Sequence, residues 1–312
     1  MSGRRRSGGR GRTRPPRGRP GRGAGPARRP GGAHHGRTFA WLALILAVGA
    51  MLGFAAVRTV TGGETETEAA APAASVAVTT PSSRVTFPEG LRREEIAEIL
   101  ERETGLSGER YLALTAAGPR GRELAGADAN RSLEGFLFPA TYDIYPDTTV
   151  RDVVDQQVQA YRDRVAGIDY GYARGRNLTR YDVLIIASMV EREVRVPSER
   201  ALVAGVMYNR LRAGMRLDID ATVQYALGDW KPELTASDLQ IDSPYNTRRY
   251  PGLPPGPICN PGSASIAAAA RPARTDHLYY VAKADGSGGH YFGRTAEEHA
   301  QNIARARANA GG

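Results

Sequence analysis

The chain has 312 residues, with 42 Lys and Arg residues against 33 Asp and Glu residues and a formal net charge of +9. Residues 1–37 contain twelve of the arginines and no acid, which leaves 30 basic residues against 33 acidic ones in the remainder. The body of the chain is therefore mildly acidic, which excludes a basic nucleic-acid groove there. A single cysteine, Cys259, excludes an internal disulfide, a thiolate metal cluster and a CxxC redox pair.

The N-terminal region predicts a tail and a membrane anchor. Residues 1–37 are mostly Arg, Gly and Pro, so we expect a disordered tail attracted to anionic lipid head groups; nucleic-acid binding through Arg-Gly repeats is the alternative. Phe39 to Val57 is uncharged, and a helix of this length covers about 28 Å, enough to cross a hydrocarbon core. We expect one transmembrane helix over residues 38–58, and Arg58 favours an uncleaved anchor over a signal peptide. The arginine excess places the N-terminus in the cytoplasm and the later residues outside the inner (cytoplasmic) membrane.

Residues 59–84 are a low-complexity linker of small residues, Thr, Glu and Pro. From Val85 the pattern predicts a strand, a helix that ends at Gly105, and a second helix near Glu109 to Ala117. Such a unit is too small to stand alone, so we expect it to pack against later segments of the chain.

An aromatic segment, LEGFLFPATYDIYPDTT, begins at Leu133 and carries Glu134 directly before Gly135. It is typical of a turn into a buried strand. Apolar spacing then predicts a helix from about Thr149 to Arg164.

The segment TRYDVLIIASMVEREV, residues 179–194, predicts a core helix that ends in two acids. Thr179 and Asp182 form a capping-box pattern at its start. Glu191 and Glu193 at its end lie about 200° apart around a helix axis, so they cannot both face one substrate. A two-carboxylate glycosidase site is therefore excluded for this pair, and periodicity alone does not choose between them.

The C-terminal half predicts further short elements. A helix over ERALVAGVMYNRLRAG is capped by Gly214, MRLDID alternates as a strand does, and Asp220 opens another short helix. Thr235 with Asp238 predicts one capped turn, and residues 243–262 form a Pro-rich loop that we expect to be rigid and to line a cleft. A helix over residues 263–270, a hairpin over LYYVAKADGSGGHYF and a last helix opened by Thr295 complete the chain.

Motifs for other chemistries are missing from the sequence. The chain has no HExxH, no GxSxG elbow and no phosphate loop, so we expect no metal and no cofactor. By elimination, an enzyme here would use glutamate or aspartate as general acid and base.

Five separated blocks, in order, resemble the MltG, or YceG-like, family of membrane-anchored endolytic murein transglycosylases over roughly residues 84–303. They are LEGFLFPATY, ASMVERE, NRLRAGMRLDIDATVQYALG, SPYNTRRYPGLPPGPICNPG and LYYVAKADGSGGHYF. The resemblance implies an α+β fold, with a small and here partial LysM-like subdomain at 85–130 and a mixed α+β catalytic domain at 131–312. It also implies a lyase that cleaves the β-1,4 bond between N-acetylmuramic acid and N-acetylglucosamine and leaves a 1,6-anhydromuramoyl end.

The resemblance assigns general acid and base catalysis to Glu193 and treats Glu191 as a variable position. Motif membership adds sugar-binding, orienting or stacking roles for Glu134, Asn209, Asp220, Thr222, Gln224, Tyr225, Tyr245, Asn246, Thr247 and Phe292. The expected partners are peptidoglycan glycan strands, the membrane and, in cell-wall assembly and the termination of glycan elongation, peptidoglycan synthases; no specific nucleic acid is expected. Two rival functions stay open: an inactive, membrane-anchored peptidoglycan-binding or division scaffold, and a hydrolase that leaves reducing ends.

Overall fold

A computed structural model describes residues 81–127 and 131–311. The predicted tail and transmembrane segment and most of the predicted linker lie outside the described residues. Within the described part, none of the helices combines the length and the apolar character needed to cross a bilayer.

A two-stranded antiparallel sheet joins the start of the described chain to a distant segment. Strand β1 (Ser83–Thr86) pairs with β2 (Thr141–Ile144), with Val85 opposite Tyr142. Between them lie α1 (Arg93–Thr104), α2 (Gly108–Thr115) and α3 (Pro119–Ala125), of which α3 was not predicted. α1 ends where the sequence predicts, because Gly105 adopts the left-handed conformation at φ 74°.

This sheet covers the smaller of two hydrophobic cores, together with α1, α2 and α4 (Val150–Val165). Val85, Leu100 and Val153 are fully buried in it, and the Tyr111 hydroxyl donates to Gln157 Oε1 at 2.7 Å. The early strand and helices therefore pack against β2 and α4, which come later in the chain, as expected. This core contains residues from both sides of residue 130. The domain boundary between residues 130 and 131 stays a prediction.

The larger core surrounds α6 (Arg180–Glu193), which comes after the short α5 (Gly171–Arg174). Thr179 accepts from the Asp182 backbone N–H and Asp182 accepts from Thr179, as the capping box predicts. Val183 to Val190 are all buried, mainly against α7 (Arg200–Arg212) and α9 (Ser263–Ala270). The run of apolar residues thus forms a core helix, as predicted.

The predicted strand over MRLDID is wrong, because residues 215–219 are irregular and lead directly into α8 (Asp220–Leu227). Leu217 and Ile219 are buried, which explains the alternation. Their backbone groups find partners in side chains instead of a neighbouring strand. The Arg210 guanidinium donates to the Leu217 carbonyl at 2.8 Å, and Thr247 Oγ1 accepts from the Ile219 N–H at 3.1 Å.

The C-terminal elements match the prediction closely. β3 (Tyr279–Ala282) and β4 (His290–Gly293) form an antiparallel hairpin, with Ala282 opposite His290 and Tyr280 opposite Phe292. The helix α10 (Ala296–Ala310), capped by Thr295, packs against both strands. Two 3-10 turns, Pro197–Glu199 and Asp238–Gln240, complete the described elements, and residues 243–262 contain turns and bends without helix or strand.

Candidate active site

Glu193 is the last residue of α6, so the apolar helix carries it from the core to the surface of a cleft. Its side chain is half-buried, and the Tyr280 hydroxyl of β3 donates a hydrogen bond to Glu193 Oε2 at 3.0 Å. With that oxygen occupied, the carboxylic proton belongs on Oε1.

Burial raises the pKa of Glu193 above its ordinary value. The Tyr280 hydrogen bond opposes this shift because it stabilises the carboxylate, while Asp220 adds to the shift and His290 and Arg248 oppose it. The net direction is upward, which keeps the acid protonated to a higher pH than an exposed glutamate.

The cleft in front of Glu193 has a volume of about 610 Å³ and a mostly polar lining. It lies between the end of α6, the β3–β4 hairpin and residues 216–220. Its charged and aromatic lining includes Arg210, Arg216, Asp218, Asp220, Arg248, Tyr279, Tyr280 and His290. Arginine partners neutralise the two aspartates, since Arg248 pairs with Asp220 and Arg210 with Asp218.

His290 lies beside Tyr280 in this cleft and is held by Glu199. The ring Nδ1 is 2.7 Å from Glu199 Oε2, and the His290 backbone N–H donates to Glu199 Oε1 at 3.1 Å. The imidazole meets the Tyr280 ring edge to face, with centroids 5.3 Å apart and planes at 88°. Glu193, Tyr280 and His290 therefore line one cleft, and Glu199 holds His290 from outside the cleft lining.

Comparison with known proteins identifies the family. A sequence model of the YceG-like family matches residues 59–305. The chain belongs to the YceG-like family. This confirms the resemblance, and the five sequence blocks that carry it all lie within the matched residues.

Two YceG-like relatives are named endolytic murein transglycosylases. The one from Bacillus subtilis (strain 168) is 34% identical over 229 residues, which are 69% of this chain and 63% of that protein. The one from Streptococcus pneumoniae (strain ATCC BAA-255 / R6) is 34% identical over 225 residues, which are 70% of this chain and 40% of that protein. The chain thus spans less than two thirds of the length of each relative.

The fold also resembles a solved YceG-like structure. The crystal structure of a YceG-like protein from Listeria monocytogenes superposes with a TM-score of 0.63 and 32% sequence identity. The superposition covers 71% of this chain and 76% of that chain. The mixed α+β class is therefore confirmed for the described part of the chain.

Glu191, the other acid of the YceG-like block, points to different neighbours. Its Oε2 accepts from the Gly262 N–H at 3.0 Å, at the start of α9, and Glu191 does not line the cleft. This agrees with the angular separation expected on a helix. The catalytic role of Glu193 stays a prediction.

Among the residues predicted to bind sugar, Asp220 lines the cleft with Glu193. Four others hold loops and helix ends together. Asn209 Nδ2 donates to the carbonyls of Thr275 and His277, Asn246 Nδ2 to those of Leu239 and Ile241, and the Thr222 and Thr247 hydroxyls bond each other. All four are buried, so the observed contacts give them a structural role, and their sugar-binding role stays a prediction.

Glu134, Tyr225 and Tyr245 form a separate cluster. The Tyr225 hydroxyl lies 3.5 Å from Glu134 Oε2, and the two tyrosine rings have centroids 4.8 Å apart. Glu134 is buried, Asn260 Nδ2 donates to its Oε1 at 2.7 Å, and burial raises its pKa to about 8. None of the three lines the cleft.

The remaining two predicted residues also lie outside the cleft lining. Gln224 Nε2 donates to the Lys231 carbonyl at 2.7 Å, and the Phe292 ring borders Tyr280 with centroids 6.3 Å apart. Among residues 81–127 and 131–311, no group of three or more His, Cys, Asp and Glu side chains is arranged to hold a metal ion.

Sequence reasoning missed Tyr280, His290 and Glu199. The alternation of the predicted hairpin carried a partial signal, because the pairing of Ala282 with His290 and of Tyr280 with Phe292 puts these four residues on one face. No pattern among neighbouring residues in the sequence connects that face of the hairpin to Glu199 or to the end of α6.

Proposed function

We propose that the chain is an endolytic lytic transglycosylase of peptidoglycan. It cleaves the β-1,4 bond between N-acetylmuramic acid and N-acetylglucosamine in nascent glycan strands and leaves a 1,6-anhydromuramoyl end. The observation that supports this proposal most directly is the position of Glu193, which is half-buried at the wall of an open polar cleft. Burial there raises the pKa of its carboxyl group. The names of the two bacterial relatives support the same activity.

In the single-glutamate form of the reaction, protonated Glu193 donates its proton to the glycosidic oxygen as the bond from that oxygen to C1 breaks. The C6 hydroxyl oxygen of the muramoyl residue then bonds to C1, and its proton passes to the Glu193 carboxylate. Water is not consumed, and Glu193 regains its starting state. The Tyr280 hydroxyl stabilises the carboxylate between the two proton transfers, since it already donates to Oε2.

Un-crosslinked glycan strands and the full chain provide the test, with products analysed by mass spectrometry. We expect 1,6-anhydro ends, a loss of about 10²–10⁴-fold in rate for Glu193→Gln, and near wild-type rates for the matched variant Glu191→Gln. The opposite ranking of the two variants would assign the chemistry to Glu191.

Two rivals predict different products. A hydrolase adds one water for each bond that it cleaves and leaves a reducing end, and it would need a second carboxylate, for which Asp218 and Asp220 line the same cleft. Both aspartates pair with arginines, Asp218 with Arg210 and Asp220 with Arg248, which weakens them as bases and favours the lytic reaction. A binding or division scaffold without activity leaves the strands intact.

We also propose that the chain is anchored in the cytoplasmic membrane by residues 38–58, with its catalytic part outside, where glycan strands and the peptidoglycan synthases that elongate them are found. The uncharged run from Phe39 to Val57 supports this. The full chain should stay with membranes after alkaline carbonate extraction, and a chain without residues 1–58 should not. Release of the full chain by carbonate would exclude the anchor.

A further inference from the structure

Three arginines line the cleft, and they are held in two different ways. The Arg210 side chain is only 10% exposed, and its guanidinium donates to three backbone carbonyls and to Asp218. The side chains of Arg216 and Arg248 are more open, at 57% and 36% exposed. Arg210 therefore holds the fold together, whereas the other two arginines line the cleft with accessible guanidinium groups.

Each of the two open arginines is held by an aspartate at its inner nitrogen. The Arg248 Nε donates to Asp220 Oδ1, and the Arg216 Nε lies 3.4 Å from Asp218 Oδ1. Among the described residues, the terminal nitrogens of both arginines have no hydrogen-bond partner. These nitrogens carry four of the five N–H groups of a guanidinium. Both side chains are thus oriented by an aspartate and keep their outer donors for a ligand.

The charge of the cleft lining favours an anionic ligand. It contains three arginines, two aspartates and Glu193, whose pKa burial raises. While Glu193 is protonated, these residues together carry one positive charge. A guanidinium binds a carboxylate through two parallel N–H groups, and this pairing is stronger than that with a neutral acceptor. The open arginines therefore suit a carboxylate.

A peptidoglycan strand carries its carboxylates on one of its two sugars. The sugar rings are neutral, and the acidic groups belong to the lactyl side chain at C3 of the muramoyl residue and to the peptide attached to it. Where the peptide is present, the lactyl carboxyl is part of an amide bond, so the free carboxylates are those of the peptide. The bond to be cleaved starts at C1 of the same ring. Its cleavage at Glu193 therefore brings the peptide close to the cleft.

We propose that Arg216 and Arg248 bind a carboxylate of the peptide on the muramoyl residue and so select peptide-bearing strands. The inference rests on the proposed function and concerns binding alone, since Glu193 keeps both proton transfers. Arg248 lies close enough to Glu193 to oppose the upward shift of its pKa, so the bound carboxylate lies near the reacting bond.

Equilibrium binding tests the proposal without catalysis. The full-length Glu193→Gln chain, in detergent, is titrated calorimetrically with un-crosslinked strands whose peptide carboxyl groups are free, and with the same strands after conversion of these groups to carboxamides. We expect the carboxamide strands to bind at least about 10-fold more weakly, because they lose a charge-assisted hydrogen bond.

Substitution of either arginine should remove this preference in part. Arg216→Gln or Arg248→Gln, added to Glu193→Gln, should weaken binding of the acidic strands about 10-fold and leave binding of the carboxamide strands unchanged. Arg248→Lys should keep part of the preference, because lysine retains the charge without the paired N–H groups. Any indirect effect of a substitution on the cleft acts on both strands alike and cancels in their ratio.

Arg249→Gln is the matched control. Arg249 is the next residue in the loop, is also exposed, pairs with Asp242 at 3.9 Å and lies outside the cleft lining. Its substitution should leave both affinities unchanged. Added salt should weaken binding of the acidic strands more than that of the carboxamide strands, because it screens exposed charges.

Strands from which the peptide has been removed distinguish the two sources of a carboxylate. They expose the lactyl carboxylate, and we expect them to bind as weakly as the carboxamide strands. Tight binding that depends on the two arginines would assign them to the lactyl group and overturn the role of the peptide. Equal affinity for acidic and carboxamide strands would overturn the carboxylate site altogether. A wild-type chain that prefers acidic strands but releases no 1,6-anhydro ends overturns the proposed function and leaves this site standing.

Discussion

Tyr280 tunes the acidity of Glu193 through one hydrogen bond. Its hydroxyl donates to Glu193 Oε2 at 3.0 Å and thereby lowers the pKa of a carboxyl that burial has raised. Tyr280→Phe removes this donor, so the pKa of Glu193 should rise further and the alkaline fall in activity should move to higher pH. The measurement is the pH dependence of kcat. Tyr291→Phe, on β4 and outside the cleft lining, should leave it unchanged.

Glu134 makes the stability of the fold depend on pH. Burial raises its pKa from 4.5 to about 8, so between these values the native state holds a proton that the unfolded state has released. Its contribution is therefore fully present below pH 4.5 and is lost as the pH rises to about 8.

Glu134→Gln removes this dependence. The melting temperature of the variant minus that of the wild type should increase as the pH rises from 4.5 to about 8 and then level off. A constant offset at acid pH reports the hydrogen bonds that the amide changes, since Oε2 accepts from the Arg93 N–H at 3.3 Å and from the Tyr225 hydroxyl at 3.5 Å. A difference that does not vary with pH would show that Glu134 is ionised in the fold.

At the scale of elements, α7 places the segment that leads into the hairpin. A Cβ at Gly205 would lie 2.7 Å from the Ala273 carbonyl oxygen and 2.9 Å from Thr275 Cγ2. The Ala273 N–H donates to the Ala201 carbonyl at 2.8 Å, so this segment lies directly on the helix. The close approach positions β3 and with it Tyr280.

Gly205→Ala should destabilise the fold by about 1–3 kcal/mol, the usual cost of overpacking a core. Helix propensity alone predicts the opposite, a gain of about 1 kcal/mol. Urea unfolding of the variant distinguishes the two. In Gly167→Ala a Cβ meets nothing within 4 Å, so stability should change by less than about 0.5 kcal/mol.

At the scale of the whole molecule, β1 connects the start of the described chain to β2. Val85 is fully buried and pairs with Tyr142, and the Arg84 Nε donates to Asp143 Oδ1 at 2.7 Å. A chain that begins at residue 87 loses this strand and should unfold at least about 2 kcal/mol more easily, the typical value for one buried valine.

A chain that begins at residue 81, where the described residues start, is the matched control and should keep the stability of the longer protein. Urea unfolding of the two shortened chains provides the measurement. Equal midpoints would show that β1 does not stabilise the smaller core.

Patterns among neighbouring residues were sufficient to predict where several helices begin and end. Thr179 with Asp182 and Thr295 with Glu298 begin helices, Gly105 ends one, and the apolar run of α6 is a core helix. The same local geometry separates Glu191 from Glu193, because both lie on one helix and its period is known. The family, too, can be identified from blocks of sequence alone.

Contacts between distant segments decide the rest. Residues 215–219 alternate like a strand, yet Arg210 and Thr247 satisfy their backbone groups, so no partner strand is needed. Tyr280 and His290 line the cleft, and the packing of the hairpin against α7 and α10 brings them to the end of α6. Periodicity and capping describe bonds within a few residues, whereas a hydrogen bond such as that from Tyr280 to Glu193 exists only after the chain has folded.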